Sequence, residues 1–182
     1  RAYVRKISDE GEELWESLNK SGDREYLWEK VASDTTSADY TTQFTKIKKL
    51  ALAFGVKGSV LYENKELLGD IVDAIQFMVT EKNYNGSYST GNWWDWQIGC
   101  TQPLVDTLMV ISDYVDYSEI EAAVKSIEGY AEKPSKQWPS YTATGANCTD
   151  IGLSVLGSAI IAKNDERMNL VKTEVPDVMK LV

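Results

Sequence analysis

Residues 37–58, SADYTTQFTKIKKLALAFGVKG, place Tyr40, Phe44, Ile47, Leu50, Ala51 and Phe54 at three- and four-residue spacing. That spacing lines one face of an α-helix with apolar groups and leaves the lysines on the other. Gly55 and Gly58 supply the stop. The pattern repeats on both sides of this segment. Upstream, residues 3–18 carry Val4, Ile7, Leu14, Trp15 and Leu18 among charges, and residues 23–31 are a candidate short helix after Ser21-Gly22. Downstream, Asn64 is placed to cap a helix that buries Leu67, Leu68, Ile71, Ile75, Met78 and Val79. Residues 93–115 read as a long helix with Leu104, Leu108, Ile111 and Val115 in register, kinked or restarted near Pro103. Ser118 is the expected cap of a helix holding Ile120, Val124 and Ile127. Another helix spans about 149–163, and Asp165 opens a last one that Pro176 breaks or kinks. No stretch reads as a strand. The expected fold is all-α, built of antiparallel helix pairs joined by alternating short and long connections. No repeat of fixed period argues for a regular solenoid.

Composition narrows the function. The net charge of −9 opposes binding to nucleic acid or to an anionic membrane surface. Unbroken apolar runs stay well short of the roughly 18–20 residues that span a bilayer, so no membrane insertion is expected. There is no histidine, which removes the commonest general base and the commonest metal ligand. With only Cys100 and Cys148 beside that, neither a metal site nor any other cofactor is expected. Arg1 already lies within a helical pattern, so the lack of a signal peptide says nothing about export. Six tryptophans and ten tyrosines are the unusual feature. They can form a large aromatic core, or a surface on which sugar rings stack.

The densest signal is Gly91-Asn92-Trp93-Trp94-Asp95-Trp96-Gln97-Ile98-Gly99. At 100° per residue, Trp93, Trp94 and Trp96 spread over about 300° of a helix surface. They cannot share one core, so at least one should face a cleft or solvent. Asp95 is an acid within this aromatic cluster, which keeps glycoside hydrolysis open as a reading, although no second carboxylate pairs with it in the sequence. The second signal is Tyr141-Thr142-Ala143-Thr144-Gly145-Ala146-Asn147-Cys148-Thr149-Asp150. Here Asn147 is either a helix N-cap or an amide offered to a ligand, with Gly145 and Ala146 allowing close approach. Cys100 and Cys148 each follow one of these motifs directly and are expected near each other, more as free thiols than as a disulfide.

The segment Asn92-Trp93-Trp94-Asp95-Trp96-Gln97-Ile98-Gly99 resembles the Asn-Trp-Trp segment of the bacterial polysaccharide lyases that act on hyaluronan, chondroitin and xanthan. Gly145-Ala146-Asn147 with Asp150 resembles their second motif, and residues 23–30, Asp23 to Lys30, resemble an upstream segment most like that of hyaluronate lyases. The resemblance implies a secreted or cell-surface bacterial enzyme whose helices form part of an incomplete α/α toroid. Residues 1–182 would be the N-terminal part of the helical catalytic domain, with further helical and β-sheet domains following. It implies β-elimination on an acidic polysaccharide by a monomeric enzyme. Asn147 takes the place of the catalytic, carboxylate-binding asparagine. Asn92, Trp93 and Trp94 match the substrate-binding segment, and Tyr141 takes the place of a third aromatic in the cleft. The chain departs from the family at Cys148 and Thr45, where relatives often carry arginine. The family's catalytic histidine and tyrosine lie beyond the second motif, so these 182 residues alone are expected to bind and not to cleave. The alternatives are a non-catalytic helical carbohydrate-binding module and a helical scaffold whose tryptophans are core.

Overall fold

A computed structural model describes residues 2–29, 36–88 and 90–179. Seven α-helices are present among the described residues: α1 (Ala2–Ser17), α2 (Ser37–Gly55), α3 (Lys65–Thr80), α4 (Thr101–Ile111), α5 (Tyr117–Tyr130), α6 (Gly145–Ala162) and α7 (Asp165–Met179). Helix α2 follows the stripe read from residues 37–58. Phe44, Ile47, Leu50, Ala51 and Phe54 are buried, and the backbone leaves the helix at Val56. Asn64 caps α3 as expected, its Oδ1 accepting from the N–H groups of Glu66 and Leu67 at 3.0 Å each.

Helix α4 lies between α2 and α6, and the other helices pack against this row. α1 sits on α2, α3 on α2 and α5, α5 on α4 and α6, and α7 on α6. Helix α6 is long and apolar enough to span a membrane by length and composition. The expectation that no segment approaches such a span is therefore corrected: serine, threonine and small residues break the apolar run without lowering the helix average below that of a span. In this fold α6 is a packing partner of α4, α5 and α7.

Four local expectations are also corrected. Residues 23–29 form turns rather than an α-helix, and residues 30–31 of that candidate lie outside the described residues. The turn is held by long-range contacts. Leu27 O accepts from Asn19 N–H at 2.8 Å, Trp28 Nε1 donates to Leu14 O at 3.1 Å, and Arg24 pairs with Asp73 at 2.6 Å. Helix α5 starts one residue before Ser118, with Asp116 as its cap; Glu119 reaches back to the Asp116 N–H at 2.9 Å. Asn164, rather than Asp165, caps α7, accepting from Arg167 N–H at 3.2 Å. Finally, a two-stranded antiparallel ladder, β1 (Lys136–Gln137) with β2 (Tyr141–Thr142), stands in a chain read as strandless. Its strands are too short to show a period-2 pattern.

Candidate binding site

The tryptophan segment is where helix geometry changes. Trp93 and Trp94 begin a helical turn that widens into a π-helical turn, Asp95–Gly99, before α4 resumes at Thr101. Such widened turns are rare and concentrate at functional sites. Asn92 starts the turn: its Oδ1 accepts from the Trp94 N–H at 3.0 Å, and its own N–H donates to Ser37 Oγ at 2.9 Å. The three tryptophans part company as the 300° spread requires. Trp96 is buried, Trp93 is half-buried against the core, and Trp94 is 41 % exposed. The ring of Trp94 lies over Gly99, where an added Cβ would come within 2.6 Å of it.

Asp95 is buried and bonded by two hydroxyls of α2, Ser37 Oγ at 2.7 Å and Thr41 Oγ1 at 2.8 Å. It ties the segment to α2 through one hydroxyl on each of its oxygens. Trp96 enters an aromatic seam. Its ring centroid is 4.9 Å from Tyr40 and 5.6 Å from Tyr130; Tyr84 lies 4.5 Å from Tyr130 and 4.6 Å from Phe44. The seam continues through Tyr88, 5.4 Å from Tyr130, to half-buried Trp138, stacked on Tyr88 at 4.8 Å. The reading of an aromatic core therefore holds for Trp96, Tyr84 and Tyr130, while Trp94 and Tyr141 stand exposed.

The second motif sits on the hairpin and the start of α6. Tyr141 in β2 is 65 % exposed. Gln137 pairs with Tyr141 across the ladder, and its Oε1 accepts from Asn147 Nδ2 at 3.4 Å. The structure thus joins Asn147 and Tyr141 through one residue. Asn147 is half-buried in the first turn of α6 and is not the cap; that position is Thr144, whose side chain makes no cap bond. The misplaced start of this helix, read at Thr149, follows from Gly145, whose φ of +54° lets the chain turn off the hairpin into α6. A Cβ on Gly145 would meet nothing within 4 Å, so the space over this helix end is open. The first intrahelical bond runs from Cys148 N–H to Thr144 O, which leaves the N–H groups of residues 145–147 directed out of the helix. An open helix start carries partial positive charge and favours an anion.

Sequence reading missed Gln97 and Trp138. Gln97 is buried and bonded on both faces of its amide to the connection between α5 and α6. It borders a cavity of about 220 Å³ with Tyr88, Tyr130, Lys136 and Trp138. Thr45 is exposed on α2 and bonds back to Thr41 O at 2.8 Å. Cys100 and Cys148 are buried free thiols. Burial pushes both upward in pKa, Cys100 strongly and against a hydrogen bond shared with Thr41, Cys148 with help from the nearby Glu174 carboxylate. The reactive thiolate is therefore scarce at pH 8. Both thiols should label slowly in the native protein and fully, two per chain, after unfolding in denaturant. Rapid native labelling of either would show that the buried environment is wrong.

The sequence profile described as "Polysaccharide lyase family 8, N terminal alpha-helical domain" matches residues 1–182, and the chain belongs to that family. It is 49% identical, over 99% of its length, to "Polysaccharide lyase 8 family protein HylA" of Enterococcus faecalis (strain ATCC 700802 / V583), and 42% identical over 99% to "Hyaluronate lyase HylB" of the same strain. It spans 13% and 19% of the lengths of those two proteins. Among solved structures it superposes on Paenibacillus xanthan lyase with a TM-score of 0.90 at 26% identity, over all of this chain and 17% of that one. The chondroitin AC lyase of Streptomyces coelicolor A3, solved in complex with chondroitin sulphate, shares the fold with a TM-score of 0.84 at 22% identity, over 99% of this chain and 24% of that one. The paired helices of this chain are part of the α/α toroid of these lyases.

Proposed function

We propose that this domain grips an acidic, uronate-containing polysaccharide for an enzyme that cleaves it by β-elimination. The observation that carries the reading is Asn147, held in the open first turn of α6 and coupled through Gln137 to the exposed Tyr141. Its amide N–H groups donate to the uronate carboxylate, aided by the free backbone N–H groups beside it. Withdrawing charge there acidifies the proton at C5. A base removes that proton, the electrons pass into the carboxylate, and the C4–O bond then breaks with formation of a C4=C5 double bond. The departing oxygen takes a proton from an acid. Asn147 can be neither base nor acid, because an amide does not titrate near neutral pH. We assign the base and the acid to groups outside these 182 residues, which hold no histidine. Asn92, Trp93, Trp94 and Tyr141 form the gripping surface, whose flat rings orient sugars without needing a positive protein. That matters in a chain of net charge −9.

The name of one enterococcal relative, a hyaluronate lyase, favours hyaluronan within this substrate class. A polymer of this kind is met outside the cell, so the site of action is secreted or cell-surface, and the protein works as a monomer without inserting into a membrane or binding nucleic acid. The lack of histidine favours one other reading, a non-catalytic carbohydrate-binding module using the same aromatics. One pair of measurements tests both. Titrating the 182-residue domain with hyaluronan oligosaccharides should change its tryptophan fluorescence saturably, while prolonged incubation forms no ultraviolet-absorbing unsaturated uronate. A longer chain carrying this domain should form that product. Cleavage by the 182 residues alone would overturn the division of roles. A saturable response with no cleavage by the longer chain would favour the binding module.

A further inference from the structure

We infer that Gln97 is a positioning residue that fixes the Tyr141 hairpin against the tryptophan segment; this rests on the binding site proposed above. Asp95 and Gln97 are two residues apart, so they leave the helix on opposite sides. Asp95 bolts the segment to α2, and Gln97 bolts it to the connection running from α5 to α6. The Gln97 side chain spends its whole amide on that connection. Nε2 donates to Tyr130 O at 2.9 Å and to Lys136 O at 3.0 Å, and Oε1 accepts from the Trp138 N–H at 2.8 Å. Tyr130 ends α5, Lys136 begins the hairpin, and Trp138 opens its turn. One buried side chain therefore clamps both ends of the segment that leads to Tyr141. Through Gln137 the same clamp bears on Asn147. The two motifs of the site lie on separate elements, and Gln97 is a direct polar tie between them. An apolar residue of equal volume would fill the space but leave the Tyr130 and Lys136 carbonyls and the Trp138 N–H without this partner, so the tie bears on stability as well as position, and the test must separate the two.

The test is Gln97→Met, which keeps the volume and removes all three bonds. In the 182-residue protein, amide exchange read by mass spectrometry should speed up at least about ten-fold across residues 136–142, with α2 and α3 unchanged. The dissociation constant for a hyaluronan hexasaccharide, read by tryptophan fluorescence, should rise about ten-fold. Leu67→Ala, in the core of α3, is the control: it should lower the melting temperature without moving either quantity. Unchanged exchange in the hairpin overturns the proposal, and so does unchanged affinity when the hairpin has loosened. Equal loss of affinity in Leu67→Ala would reduce Gln97 to a stability residue and overturn it too. If the unaltered protein does not respond to the saccharide at all, the polysaccharide reading fails, and the clamp is then decided by exchange alone.

Discussion

Replacing Asn147 by alanine in a lyase built on this domain is expected to lower turnover roughly 10²–10³-fold, the scale seen when one preorganised donor is removed from a site of developing charge. The fold should survive almost untouched. Asn147 is half-buried and makes a single long hydrogen bond, 3.4 Å to Gln137. Alanine is a better helix former than asparagine, which offsets that loss, so stability should change by less than about 1 kcal/mol. Turnover should fall further than KM rises. The ground-state carboxylate is already an anion that the helix end and solvent can satisfy, whereas the bond to Asn147 strengthens as electrons from C5 arrive. Initial rates from the ultraviolet band of the unsaturated product, beside a thermal melt, give both quantities. A variant within about three-fold of the parent in turnover would mean that another group receives the charge, and the role given to Asn147 would be wrong.

The helices were legible because their signals are local. In α2 and α3 the apolar stripe, the stop at Gly55 and the Asn64 cap all act within a few residues, and the structure follows them closely. Segments whose conformation depends on distant partners were not legible. Residues 23–29 take their shape from Leu14, Asn19 and Asp73. The hairpin at 136–142 is bonded to Gln97, some forty residues earlier in the chain. A buried glutamine and a buried aspartate also run against the binary pattern, which assigns such residues to solvent. In the tryptophan segment the angular spread of three rings demanded that at least one be exposed, and Trp94 is. Spacing alone could not say which of the three would be core.

That division can be measured. Trp96→Ala is expected to destabilise the domain by about 3–5 kcal/mol, and Trp94→Ala by roughly 1–2 kcal/mol. Trp96 is 4% exposed, with its ring among Tyr40, Tyr84 and Tyr130, and its Nε1 donates to Thr90 O at 3.3 Å. Removing it opens a cavity walled by rigid rings, which cannot collapse to fill it, and weakens the packing of the seam that ends at Trp138. Trp94 keeps two-fifths of its surface in solvent and rests on Gly99, so its loss exposes little that was dry. Affinity should move the other way. Trp94→Ala should weaken saccharide binding several-fold under conditions where both variants remain folded, and Trp96→Ala should affect it only through any loosening of the hairpin. Urea denaturation with a common slope, paired with the fluorescence titration, separates the two effects. If Trp94→Ala cost as much stability as Trp96→Ala, Trp94 would be a core residue and the gripping surface would lose its most exposed tryptophan. A Trp94 variant that kept its stability and bound the saccharide undiminished would be equally damaging, because the exposure of that ring would then serve no ligand of this class.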